Sequence, residues 1–124
     1  MRPAVLLTCL ALVAACGGSH APKAGGGVGA ASGPAGAQVF TIHGNDRQQF
    51  VPQVVQAKVG RLILTLRNGG VPHNLTFRTA GLPAIGTVSG AATKSATITF
   101  TAPGTYTFTC TIHPGMDGKV VVSG

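Results

Sequence analysis

The sequence predicts an all-β domain, an antiparallel sandwich or barrel, on three observations. From Gln38 onward apolar and polar residues alternate with period two, the pattern of half-buried strands. Turn signals fall between these runs, at Gly44, Asn45 and Asp46, at Val59 and Gly60, at Asn68, Gly69 and Gly70, at Gly81, Leu82 and Pro83, at Pro103 and Gly104, and at Asp117 and Gly118. No segment suggests an amphipathic helix of normal length. Six to eight short strands at this spacing fit a sandwich or barrel.

The strands begin only after a long leader. Residues 1–15 hold one Arg, then a run of uncharged, mostly apolar residues from 4 to 15, and end in small residues. This is the pattern of a secretory signal, too short for a membrane span. Val13, Ala14, Ala15 and Cys16 resemble the lipobox of bacterial lipoproteins, in which the Cys is acylated after cleavage. An ordinary signal peptide that happens to end near a Cys is the competing reading. Residues 17–36, GGSHAPKAGGGVGAASGPAG, have no periodicity. With Cys16 they read as a flexible tether with an r.m.s. reach of roughly 25 Å, in which His20 is simply solvated.

The expected folded domain is residues 37–124. In RLILTLRN, Leu62, Leu64 and Leu66 share one face, and Ile63 and Thr65 the other. A second strand is expected over residues 74–78. In a third, Ile98 and Phe100 alternate with threonines, and in TYTFTC the residues Tyr106, Phe108 and Cys110 share a face. Phe40, Phe50, Phe77 and Phe100 are expected in the core, and His43 in a turn. Tyr106, just after Pro103 and Gly104, resembles the tyrosine corner of Greek-key sandwiches, whose hydroxyl bonds back to nearby backbone. Residues 79–94 carry no clear motif.

Cysteine usage and charge narrow the function. Cys9 leaves with the signal and Cys16 carries lipid, so Cys110 is the single thiol of the domain. It cannot form an intramolecular disulfide, which leaves it buried and inert, paired with another chain, or bound to a metal. The chain's net charge of +7 includes Arg2 and Lys23, leaving +5 on the domain. The charges are scattered singly, with no basic run or aromatic platform, which disfavours nucleic acid and favours acidic partners or anionic lipid.

The stretch CTIHPGM, residues 110–116, gathers a thiol, an imidazole and a thioether at offsets of three and three. Because Tyr106 and Phe108 face the core, Cys110 also points inward at the strand's end. A further imidazole stands in Val71-Pro72-His73-Asn74, at the start of the second strand. The candidate ligand set is His73, Cys110, His113 and Met116. A thiolate and two imidazoles with a weak thioether suit copper, whereas Met is a poor zinc ligand and the haem attachment motif CxxCH is absent. Either histidine alone is more often a satisfied imidazole than a ligand. A Cys110–His113 nucleophilic pair would need a cleft and an orienting acid, and the domain holds only Asp46 and Asp117.

FVPQVVQAKVG, VPHN and FTAPGTYTFTCTIHPGMDGKVVV together resemble the cupredoxins, with the CxxHxxM loop most similar to the amicyanin and plastocyanin branch. The likeness runs from about Phe40 to Val122. It implies a Greek-key antiparallel β-sandwich holding one type 1 copper ion, with His73, Cys110 and His113 equatorial and Met116 axial. It also implies that Asn74 ties the His73 segment to Thr111 and turns its backbone N–H toward the Cys110 sulfur. Two residues depart from the pattern. Gly115 stands where a bulkier residue is common, so a looser loop is expected, and Ile112 keeps a backbone N–H that some short-loop relatives lose to Pro.

The resemblance further implies an electron carrier rather than an enzyme, a monomer that exchanges electrons with redox partner proteins through His113. Val71, Pro72, Pro83 and Pro114 would line an apolar patch there, with basic residues around it steering an acidic partner. Combined with the lipobox, the expected location is a membrane's extracytoplasmic face, periplasmic or cell-surface. The competing copper function is storage or delivery of the ion, which a Met-rich or His-rich tail would favour. The chain's only methionines are Met1 and Met116, and its four histidines are dispersed.

Overall fold

A computed structural model of the chain describes residues 27–34 and 36–124. The signal segment 1–15, Cys16, His20 and the tether as far as residue 26 lie outside the described residues. The described residues form ten strands and no helix: β1 (Val28–Ala30), β2 (Gln38–Gly44), β3 (Phe50–Val51), β4 (Val54–Lys58), β5 (Gly60–Asn68), β6 (His73–Phe77), β7 (Ile85–Val88), β8 (Thr93–Phe100), β9 (Gly104–Thr109) and β10 (Asp117–Ser123). They make a six-stranded sheet in the order β1-β4-β10-β9-β6-β7 and a four-stranded sheet in the order β3-β2-β5-β8.

The all-β expectation holds, but the sheets are mixed rather than purely antiparallel. β1 with β4, β4 with β10, and β2 with β5 run parallel. Between β2 and β5 the chain visits the other sheet as β4, and between β4 and β10 it crosses back more than once. Such excursions supply the long connection that parallel neighbours require. Period-two alternation reports which face of a strand is buried and is silent on the direction of its neighbour.

Other differences are local. Val28–Ala30, inside the stretch expected to be tether, pairs with β4 from Val28↔Val54 to Ala30↔Gln56. Gly29 has the Phe40 ring where a Cβ would stand, so this glycine admits a ring and Phe40 is only half-buried. Asp117 and Gly118 open β10 instead of forming a turn. Gly118 is buried against Phe108 and the Gln53 carbonyl. His43 lies within β2, exposed. Residues 79–94, left open by the sequence, contain β7 and the start of β8.

The core lies between the sheets. Leu62, Leu64, Leu66, Ile98 and Phe108 are fully buried, each contributing roughly 1.5–3 kcal/mol relative to exposure. Phe108 meets Phe50 and Phe77 edge-on, with ring centroids at 5.0 and 5.7 Å. The Tyr106 hydroxyl donates to the Ala102 carbonyl at 2.7 Å, the bond expected of a tyrosine corner. Pairing of Thr76 with Thr109 and Phe77 with Phe108 joins β6 to β9. The start of β6 and the end of β9 therefore lie at the same pole of the sandwich.

Tyr106→Phe is expected to lower unfolding free energy by about 1 kcal/mol through loss of the Ala102 bond, read from the urea midpoint. An unchanged midpoint would show that the corner contributes nothing to stability.

Candidate metal centre

At that pole the chain supplies its polar donors from two segments. His73 is the first residue of β6 and is fully buried, while Cys110 directly follows β9 with 2% exposure. His113 is half-buried and Met116 buried, both in the loop leading to β10. Ligand atoms of His73, Cys110 and His113 all lie within 4.8 Å of one another. The Cys110 Sγ is 3.7 Å from His113 Nδ1, and the two imidazole rings meet edge-on with centroids 5.0 Å apart.

Backbone bonds shape the loop. Cys110 N–H donates to the Met116 carbonyl at 2.9 Å, and Met116 N–H to the His113 carbonyl at 3.2 Å. The Thr109 hydroxyl donates to the same Met116 carbonyl at 3.2 Å. Gly115 has φ +80°, a left-handed conformation that glycine adopts without steric cost. The absence of a Cβ at Gly115 thus suits a turn that these backbone bonds close.

Asn74 joins the two segments. Its Nδ2 donates to Thr111 Oγ1 at 2.7 Å, and its Oδ1 accepts from Thr111 N–H at 2.8 Å. Its backbone N–H points at Cys110 Sγ from 3.5 Å. Beside the site, Asp117 pairs with Arg78 at 3.0 Å. Hydrogen bonds from Thr109 and then Arg78 hold the Asp117 carboxyl below its usual pKa.

His73 tests whether a metal fits. Its Nε2 lies 2.9 Å from the Asn45 carbonyl, which can only accept, so Nε2 carries the proton and Nδ1 presents a lone pair. That Nδ1 is buried and has no hydrogen-bond partner. A buried polar atom left unpaired is costly, and a metal ion shared with Cys110 and His113 removes the cost. Burial pushes the His73 pKa down, the bond to Asn45 opposes this, and nearby His113 lowers it further. The net lowering favours the neutral form of His73, the form that binds metal.

A nucleophilic role for Cys110 finds no support in the geometry. The thiol is buried, Asp46 is bonded to the Val71 backbone and Asp117 to Arg78, and no carboxylate among the described residues orients His113.

Sequence reasoning missed the brace behind His73. A Cβ on Gly44 would lie 2.5 Å from His73 Cδ2, so only glycine leaves room for the ring. Asn45 supplies the carbonyl to Nε2, and Asp46 Oδ1 accepts from Val71 N–H at 3.1 Å. Buried Asn68 donates to the carbonyl of Val88, the β7 residue opposite His73, at 3.0 Å. The only sequence signal was a Gly-Asn-Asp turn, with nothing linking it to a histidine 28 positions further on. Gly44→Ala is expected to displace the ring and weaken metal binding about tenfold, measured by competition with a chelator. Unchanged affinity would show that the ring has room to move.

Residues 37–123 match the family described as copper binding proteins, plastocyanin/azurin family. The chain is 33% identical to amicyanin-alpha of Methylorubrum extorquens over 119 residues, which cover 94% of this chain and 97% of that one. It is 36% identical to the chloroplastic plastocyanin of Hordeum vulgare over 84 residues, 60% of this chain and 54% of that one. Among solved structures, dithionite-reduced auracyanin from Roseiflexus castenholzii superposes with a TM-score of 0.62 at 18% identity, covering 72% of this chain and 99% of that one, a likeness of fold. The Cu(I) form of an amicyanin variant superposes with a TM-score of 0.56 at 30% identity, covering 68% and 82%.

Proposed function

Because the chain belongs to the plastocyanin/azurin family of copper-binding proteins, the cupredoxins, we propose that it carries single electrons between redox partner proteins as an extracytoplasmic, lipid-anchored blue copper protein. The observation that carries this reading is the buried, unpartnered His73 Nδ1 facing a thiol and a second imidazole. Copper held there supplies a one-electron Cu(II)/Cu(I) couple.

The residues have distinct roles. His73, Cys110, His113 and Met116 would hold the copper, a donor set of mixed softness that would accommodate both oxidation states. Asn74 and Thr111 lock the two ligand segments together, and the Asn74 N–H withdraws charge from the thiolate. Burial of Cys110 and His73 keeps water from the site. His113 is the half-exposed ligand, and Pro72 and Pro114, both exposed beside ligands, give its surroundings an apolar character suited to brief docking. The domain makes and breaks no bonds in a substrate.

Electron transfer is favoured over storage or delivery because the donors are already gathered and braced by hydrogen bonds from several elements. A carrier of electrons gains from ligands that hardly move between oxidation states, while a carrier of ions needs a site that opens. Acidic redox partners, a monomeric state and anchoring through acylated Cys16 complete the reading. The net positive charge supports the first of these and the lipobox-like residues before the tether support the last.

One equivalent of Cu(II) is expected to give an intense blue absorption that ascorbate bleaches and oxidation restores, and that Cys110→Ser abolishes. A colourless protein, or one that yields its copper to a mild chelator, would favour delivery. In cells fed an alkyne fatty acid, the native chain is expected to take up label and Cys16→Ser to take up none. An unlabelled native chain would remove the lipid anchor.

A further inference from the structure

Strand β1 fixes where the chain enters the domain. It runs parallel to β4, and β4 runs parallel to β10. β10 starts at Asp117, directly after Met116, so all three strands run away from the pole that gathers His73, Cys110 and His113. The chain therefore comes into β1 from the side of that pole. Val28 shares a row with Val54, Lys119 and Thr107. The row of Asp117 and Thr109, next to Cys110, lies only roughly 7 Å further along the strands.

The entry is held by backbone bonds and by packing. Val54 N–H donates to the Gly27 carbonyl at 3.0 Å, and Ala31 N–H to the Gln56 carbonyl at 2.7 Å. Ser32 and Val39 exchange two further bonds, and Gly29 admits the Phe40 ring. Gly27 lies against Pro52, and the following Gln53 donates through Nε2 to the Asp117 carbonyl at 3.2 Å. The first described residue is thus two neighbours away from the start of β10.

Because β1 belongs to the domain, only residues 17–26 separate Cys16 from Gly27. A Gly-rich stretch of that length has an r.m.s. reach of roughly 18 Å. The strands are longer, since β5, Gly60–Asn68, spans roughly 30 Å. Turning the opposite pole toward a membrane would make the chain double back along the strands and spend most of that reach. With the metal pole toward the membrane, the gap beneath it is too narrow for a soluble globule of this size, roughly 30 Å across.

The geometry points to β1 as the element that aims the metal pole at the bilayer, so that half-buried His113 and exposed Pro114 meet a redox partner embedded in the same membrane. The inference rests on the lipid-anchored electron-carrier reading. It gives a strand of three residues a role in partner choice, because without β1 the chain would leave from β2 on a longer leash.

The test uses the acylated, copper-loaded protein, labelled with nitrogen-15, held as diamagnetic Cu(I) and anchored in lipid nanodiscs whose headgroups carry a gadolinium chelate. Amides of Gln53, Thr111 and Ile112 at the metal pole are expected to broaden about threefold or more over those of Lys58, Gly60 and Gly104 at the other. An insert of about thirty Gly and Ser residues before Gly27, which raises the reach to about 35 Å, is expected to level the two poles without touching the fold. The double variant Gly29→Val, Ala31→Pro, which detaches β1, is expected to do the same. Even broadening in the native protein, or broadening strongest at Gly60 and Gly104, would overturn the orientation. A bias that survives both the insert and the release of β1 would overturn the role of β1. A native chain that takes up no acyl label removes the anchor and the inference with it, whereas an acylated chain with even broadening removes the inference alone.

Discussion

Two hydrogen bonds between Asn74 and Thr111 tie together the parts of the chain on which the site depends. They link the first turn of β6 to the residue after Cys110, at the open end of a β6–β9 pairing that has only two residue pairs in register. So short a ladder fixes two strand ends weakly by itself. The side-chain amide continues the pairing past the point where backbone bonding stops, and the Asn74 backbone N–H lies by the sulfur as a result.

The second constraint comes from the opposite sheet. His73 is enclosed by Gly44 and bonded to Asn45, both at the end of β2, and its neighbour Val71 is held by Asp46. The imidazole is thus pinned between the sheets, with its proton on the nitrogen facing the brace and its lone pair toward Cys110 and His113. The cost of burying that lone pair is met only by a ligand at the site. Cys110, His113 and Met116 by contrast sit in one seven-residue loop closed by its own backbone bonds. One candidate donor, His73, is therefore set by the packing of two sheets, and Cys110, His113 and Met116 by local chain geometry.

The distribution of charge follows the same division. On the six-stranded sheet the cation Arg78 is paired with Asp117. On the four-stranded sheet Arg61 and Arg67 project from the exposed face of β5 among threonines and serines, with no acid on that face. The two acids of the domain both serve local structure, one at the His73 loop and one beside the ligand loop. What remains for partners to meet is almost wholly positive, so association should respond to salt as surface electrostatics do.

Much of this protein is legible in its sequence because the relevant information is local. Alternation around Leu62, Leu64 and Leu66 and around Phe108 marks the buried faces, the spacing from Gly104 to Tyr106 marks the corner, and the residue types of CTIHPGM with VPHN mark soft metal chemistry. These signals span a few residues and depend on side-chain chemistry and a two-residue repeat. Tertiary structure decided what local patterns cannot encode. It set the parallel directions of β2 and β5, turned three residues of an apparent linker into β1, and assigned Gly29 and Gly118 to ring packing, which in sequence look like any flexible glycine. It also brought Gly44, Asn45 and Asp46 behind His73, because which turn lies against a given histidine depends on how two sheets stack, and stacking is a property of the whole chain.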